Sequence, residues 1–173
     1  MTHQGSRIRL IMDWRAAVIA GLLSGLLTMA LWMILLTMTT GGSAWTPLHH
    51  IAAILLGEGV LAPSQSINWQ VVITGLFIHL VLSIFYAVIL AFIIHRWGLI
   101  IGILGGAMFG LAIYAINYYT FSALFPWFFS LRSWIALVGH VFFGMMVGGI
   151  YESLERDVYI AEDASVPETG VSA

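Results

Sequence analysis

The chain has 173 residues, of which 61% are hydrophobic and only 8% charged, with a formal net charge of -2. So much apolar surface cannot be hidden in a water-soluble fold of this size. The 6 basic residues, all arginine, form no basic face for a nucleic-acid backbone, and with Cys at 0 disulfides, thiolate metal sites and thiol nucleophiles are excluded as well.

The first apolar stretch, 15–38, follows Arg7 and Arg9 and precedes the small-residue run Gly42-Ser43-Ala44, as a signal peptide would. Its apolar core is longer than the usual h-region of about 7–15 residues, which identifies it as a retained transmembrane helix. The loop after it stays apolar. Thr46 and Pro47 suit the N-cap and first turn of a short helix over 47–56, stopped by Gly57 and Gly59 and lying in or against the outer membrane face. His49 and His50 are neighbours on that helix, about 100° apart around its axis, so they do not converge on one ion and are read as solvated. Two further stretches, 69–94 and 98–119, are joined by a tight turn containing Arg96. An aromatic loop from Phe121 to Trp134 leads to the last stretch, 133–153. Each of the four meets the requirement of roughly 20 helical residues for crossing a bilayer.

Arg7, Arg9, Arg15, Arg96 and Arg156 fall on one side of these crossings and only Arg132 on the other, which places both termini in the cytoplasm. Trp69, Trp127 and Trp134 lie near the outer boundary, Trp14 and Trp97 near the inner one. The segment 157–173, with Asp157, Glu162, Asp163, Pro167 and Glu168, has no sustained apolar period and is expected to be a disordered acidic tail. The fold class is therefore all-α, a four-helix transmembrane domain over 1–156 with a short interfacial helix.

The crossings also repeat. Aligning the second with the fourth matches Gly75 with Ala136, His79 with His140, Ser83 with Gly144 and Ala87 with Gly148, each four residues from the next. Positions i, i+4 and i+8 share one helix face, so each helix carries a stripe of small residues interrupted by one histidine. Gly21-Leu22-Leu23-Ser24-Gly25 of the first crossing matches Gly102-Ile103-Leu104-Gly105-Gly106 of the third, where Gly110 continues the row. Such rows are packing seams between membrane helices. The chain thus reads as two parallel helix-pair repeats, about 15–96 and 98–156, with His79 and His140 as symmetry mates roughly 12–15 Å below the outer surface.

From His79-Leu80-Val81-Leu82-Ser83-Ile84-Phe85-Tyr86-Ala87-Val88, through the glycine-bearing 99–111 and Phe125-Pro126-Trp127, to Gly139-His140-Val141-Phe142, the chain resembles the YagU-like family of bacterial inner-membrane proteins. The likeness covers about the last half. It implies a multi-pass protein of the bacterial inner membrane and carries no mechanism.

An ionisable residue deep in a membrane helix is a functional candidate, and the histidine pair is compatible with several roles. Each imidazole can simply hold the bundle together through Ser83, Tyr114 or Asn117. The two can ligate a b-type haem, the glycine rows making room for the macrocycle and Arg132 meeting a propionate. They can respond to protons in a small transporter or channel, or belong to a subunit whose spare glycine rows contact copies of itself or a larger membrane complex. A bare metal site lacks carboxylates to complete its shell. Glu152 and Glu155 read as solvated carboxylates at the inner end of the fourth crossing, and no catalytic motif of a hydrolase or transferase is present.

Overall fold

The computed structural model describes residues 7–62, 67–95, 97–156 and 158–162. Its long helices are α1 (Trp14–Thr40), α3 (Trp69–Ile94), α4 (Leu99–Ala115) and α5 (Trp134–Leu154), with the shorter α2 (Thr46–Leu56) after α1. Four helical spans are long and apolar enough to cross a membrane, α4 being prolonged through Ala123. The chain is an all-α polytopic protein, and the four expected crossings are all present.

Local chemistry sets the helix ends. Asp13 accepts from the Arg15 and Ala16 amides at 2.9 and 3.1 Å, satisfying orphan donors at the start of α1. Asn68 does the same for α3 through the Gln70 and Val71 amides. Gly41 ends α1 at φ 64, where a side chain would be strained. Thr46 is not the N-cap of α2: Trp45 occupies that place, and the Thr46 carbonyl instead accepts from the His50 ring. Gly57 ends α2 as expected.

Beyond Ala115 the helix widens into a π turn, Ile116–Thr120, followed by short 3-10 turns at Phe121–Ala123 and Pro126–Leu131. The third crossing therefore extends past its expected end at 119. At the opposite end, Arg7–Ile11 (β1) pairs antiparallel with Val158–Glu162 (β2), Arg9 opposite Ile160. The start of the expected disordered tail is thus a strand, its Val-Tyr-Ile run having the β-propensity that charge counting overlooked. The remainder of that tail, 163–173, lies outside the described residues.

The bundle is held by close backbone crossings. A Cβ on Gly106 would overlap the Gly144 carbonyl and one on Gly144 the Gly106 carbonyl; Gly148 meets the Gly102 carbonyl and Gly110 that of His140 in the same way. Helices α4 and α5 are zipped together along this row. The α1–α3 crossing uses Gly21, whose Cβ would come within 2.8 Å of the Ile84 Cα, and Gly25, 2.6 Å from the Ser83 hydroxyl. Gly75 plays another part than the expected seam with a long helix, because it seats the Leu48 backbone of α2. Pro47, Leu48, Ile51, Ala52 and Ala53 are buried, so one face of α2 packs into the bundle while Leu55 and Leu56 stay exposed.

Since the α4–α5 row leaves no room for side chains, Gly144→Val should lower stability by about 1–3 kcal/mol or more. Gly105→Ala, whose Cβ would lie 3.6 Å from Ile94, should be neutral or stabilising by up to about 1 kcal/mol. Unfolding of the two variants in mild detergent checks this contrast.

Candidate functional site

On α3, His79 stands opposite Gly25 of α1, where the missing side chain lays the α1 backbone open. Its Nε2–H donates to the Gly25 carbonyl at 3.0 Å. A carbonyl can only accept, so the neutral ring carries its proton on Nε2 and keeps a lone pair on Nδ1. Ser83, expected as an imidazole partner, donates instead to the His79 carbonyl of its own helix at 2.7 Å. That is the usual escape of a serine hydroxyl inside a helix.

His140 on α5 has the opposite tautomer. Its Nδ1–H donates to the Ala136 carbonyl at 2.7 Å, and its Nε2 accepts from the Asn117 amide at 3.1 Å. Asn117 in turn accepts from the Tyr86 hydroxyl at 3.5 Å, so a chain of polar groups runs from α3 through the π turn to α5. The wider π turn lets Asn117 and Tyr118 share the inward face, a common use of such turns at functional sites. Trp32, Tyr114 and Tyr118 stand edge-on around the His140 ring, with centroids at 6.5, 5.9 and 5.6 Å.

Both histidines line one cavity of about 220 Å³ set among α1, α3, α4 and α5. Its wall is aromatic and aliphatic, broken by Thr28, His79, Ser83, Tyr86, Asn117, Tyr118 and His140, and it contains no charged side chain. Thr28 is only 6% exposed and its hydroxyl has no hydrogen-bond partner. Such a group in apolar surroundings costs roughly 1–3 kcal/mol. Ile51 and Ile54 of α2, with Phe125 and Phe128, roof the cavity. The Trp127 indole N–H donates to the His50 carbonyl at 3.1 Å and ties that roof together.

The remaining sequence candidates fall elsewhere. Arg132 does not reach the cavity; its guanidinium lies 4.5 Å over the Phe129 ring and 5.2 Å from that of Tyr119, an aromatic seat that a cation at the end of a bundle finds readily. His49 and His50 are half-buried rather than solvated, and point apart, to the carbonyls of Val60 and Thr46 respectively, each at 2.9 Å. Burial holds the His50 imidazole below its ordinary pKa, opposed by the Thr46 bond, and His49 nearby lowers it further. Glu152 is not an ordinary solvated carboxylate either: its chain packs on Gly102 and its Oε1 is buried without a partner, while Glu155 accepts from Tyr151 at 2.8 Å.

These positions do not fit a bis-histidine haem. Both ring nitrogens of His140 are engaged, and Arg132 does not line the cavity. Among the described residues no group of three His, Cys, Asp or Glu side chains converges as a metal site would require.

Sequence reasoning missed Thr28, Trp32, Tyr86 and Tyr118. A signal for the first two existed: Gly21, Ser24, Gly25, Thr28, Met29 and Trp32 share one helical face and are all buried. Compared with known proteins, the chain matches no family model, no curated protein and no solved structure.

The hydrogen bonds predict a distinct tautomer for each ring. Nitrogen-15 spectra of the two labelled imidazoles should show His79 protonated at Nε2 and His140 at Nδ1. Asn117→Leu should leave the His79 pattern intact, alter that of His140 and lower stability by about 1–3 kcal/mol.

Proposed function

We propose that this chain is a small multi-pass protein of the bacterial inner membrane, with cytoplasmic termini, that holds a small uncharged molecule in the His79–His140 cavity in a transport-associated role. Kinship with the YagU-like family is part of this reading, as is descent of the two helix pairs from one duplicated unit. The arginine distribution supports the orientation. The matched crossings, Gly25 on Ser83 in one pair and Gly106 on Gly144 in the other, support the duplication.

The observation that carries the binding reading is the cavity of about 220 Å³ that the two histidines share, with its uncharged, largely aromatic wall. A purely structural histidine pair would not need that space beside it, since dense packing is how membrane helices gain stability. A charged molecule is disfavoured because no opposite charge in the wall offsets its desolvation.

Gly139 tests this, because it lines the cavity and a Cβ there would make only ordinary contact, 3.9 Å from Thr28. Gly139→Leu should fill the space and leave the bundle folded. A panel of uncharged, membrane-soluble one-ring compounds should include members taken up saturably by the wild-type protein and not by this variant, measured by equilibrium dialysis in detergent. Equal uptake of every compound by both proteins contradicts the reading.

A proton-responsive role is a second reading, favoured by the Tyr86–Asn117–His140 chain. Protonating His140 would set an N–H against the Asn117 amide donor, and the amide would have to turn its oxygen to the ring. The titratable side chains facing this centre are His79 and Tyr86 of α3 and Tyr114 and Tyr118 of the α4 segment. Uptake of an uncharged compound should therefore fall on acidification. The fall should vanish in His140→Gln, and an unchanged profile in that variant removes the reading.

A further inference from the structure

The wall around His140 carries hydrogen-bond donors that no group among the described residues accepts. Trp32 of α1 and Tyr118 of the π turn stand edge-on to the His140 ring, and both line the cavity. The Trp32 indole N–H and the Tyr118 hydroxyl make no hydrogen bond, yet neither is sealed from open space as the unpartnered Ser24 and Thr28 hydroxyls are. Their side chains are only 8% and 2% exposed, so the space these two donors border is the cavity. Asn117, also in the wall, gives one amide proton to His140 and keeps a second.

The nearby acceptors are already taken. His140 Nε2 accepts from Asn117, the Asn117 oxygen from Tyr86, and the Ala136 carbonyl from His140. Spare lone pairs remain on His79 Nδ1 and on the hydroxyl oxygens of Ser83 and Tyr86, whose protons are given elsewhere. An acceptor with an unused lone pair is common inside proteins, whereas an orphaned N–H is rare. The donors around His140 therefore decide what completes the wall, and it is an acceptor brought from outside.

Shape and size narrow the class. An engineered apolar cavity of about 150 Å³ holds benzene, and this one is about 220 Å³, room for one ring with a short substituent. The rings of Phe121, Phe125, Phe128 and Phe143 in its wall suit a flat aromatic body. A carbonyl oxygen on such a body offers two lone pairs and brings no proton to set against the donors. Water would meet the donors but leave the aromatic remainder of the cavity unfilled.

We infer that the cavity binds a neutral aromatic carbonyl compound, one ring bearing a ketone- or aldehyde-type oxygen, with that oxygen accepting from the Tyr118 hydroxyl and the Trp32 indole N–H. This rests on the binding reading above and adds the polarity of the ligand, the residues that read it and the ring.

The test compares acetophenone with α-methylstyrene, in which a CH₂ group replaces the carbonyl oxygen, by dialysis against the full chain in detergent. Gly139→Leu supplies the baseline for partitioning of each compound into micelles. Above that baseline the ketone should bind about tenfold more tightly than the alkene, the scale of one net hydrogen bond. Tyr118→Phe and Trp32→Phe, which remove a donor and keep an aromatic ring, should each reduce the preference, and α-methylstyrene should still bind to Tyr118→Phe. In proton–nitrogen spectra the Trp32 indole N–H, assigned by its loss in Trp32→Phe, should move downfield with acetophenone and not with α-methylstyrene. Equal binding of ketone and alkene, or a preference that survives both substitutions, overturns this inference and leaves the general binding reading standing. Binding of neither compound above the baseline overturns this inference and counts against both. Should Trp32→Phe fail to fold, Tyr118→Phe decides, because its hydroxyl holds no partner in the unliganded bundle and its loss leaves no internal bond broken.

Discussion

The structure depends on the contact of bare helix backbones. Hydrocarbon tails are as apolar as leucine, so membrane helices gain nothing by hiding leucines from them; they associate through dispersion and close approach. In α4 and α5 both partners supply glycine, Gly106 against Gly144 and Gly102 against Gly148, and the two backbones touch. In α1 and α3 glycine on one side meets Ser83 and Ala87 on the other. A chain that commits its faces to these two crossings has little left for α3 against α4. The cavity lies beside that gap.

Backbone exposure also governs the polar chemistry. Where a glycine removes the side chain between two helices, a carbonyl becomes reachable from the next helix. His79 uses the Gly25 carbonyl in this way, with the second lone pair of an oxygen already in a helix. His140 finds the Ala136 carbonyl within its own helix and the Asn117 amide across from it. Each ring is thereby held neutral in a fixed tautomer, the state in which an imidazole is tolerated at depth in a bilayer. The two rings differ in what they leave open: His79 keeps one acceptor and His140 keeps none. Residues that match in the alignment are therefore not equivalent in chemistry.

The end of the bundle away from the chain termini is built by irregular turns that follow from composition. The run Ile116-Asn117-Tyr118-Tyr119-Thr120 crowds large and β-branched side chains onto one helical turn, and such residues are poor helix formers. A π turn relieves the crowding and brings Asn117 and Tyr118 to the same face. Pro126 and the aromatic residues around it then continue as 3-10 turns, where Phe125 and Phe128 roof the cavity together with α2. One π turn thus links a local irregularity to the site, because it supplies the amide that orients His140.

The sequence alone determined the number of membrane crossings, the position of the short helix and the glycine rows, because each depends on properties carried along one helix: length, apolar content and a spacing of four. It also singled out His79 and His140, since histidine on a stripe of small residues stands out by type. The rest belongs to tertiary structure. Whether a glycine row packs against the next long helix or seats α2, as Gly75 does, depends on which element arrives there. Arg132 reads in the sequence as a group that would meet a haem propionate, but the 3-10 turn that ends at Leu131 turns it toward Phe129 and Tyr119. The strand Val158–Glu162 forms only because β1, about 150 residues away in sequence, is held beside it by the bundle. Hydrogen-bond partners between helices have no period in sequence, so the unpartnered Thr28, the two tautomers and the shared cavity are decided only when the four helices come together.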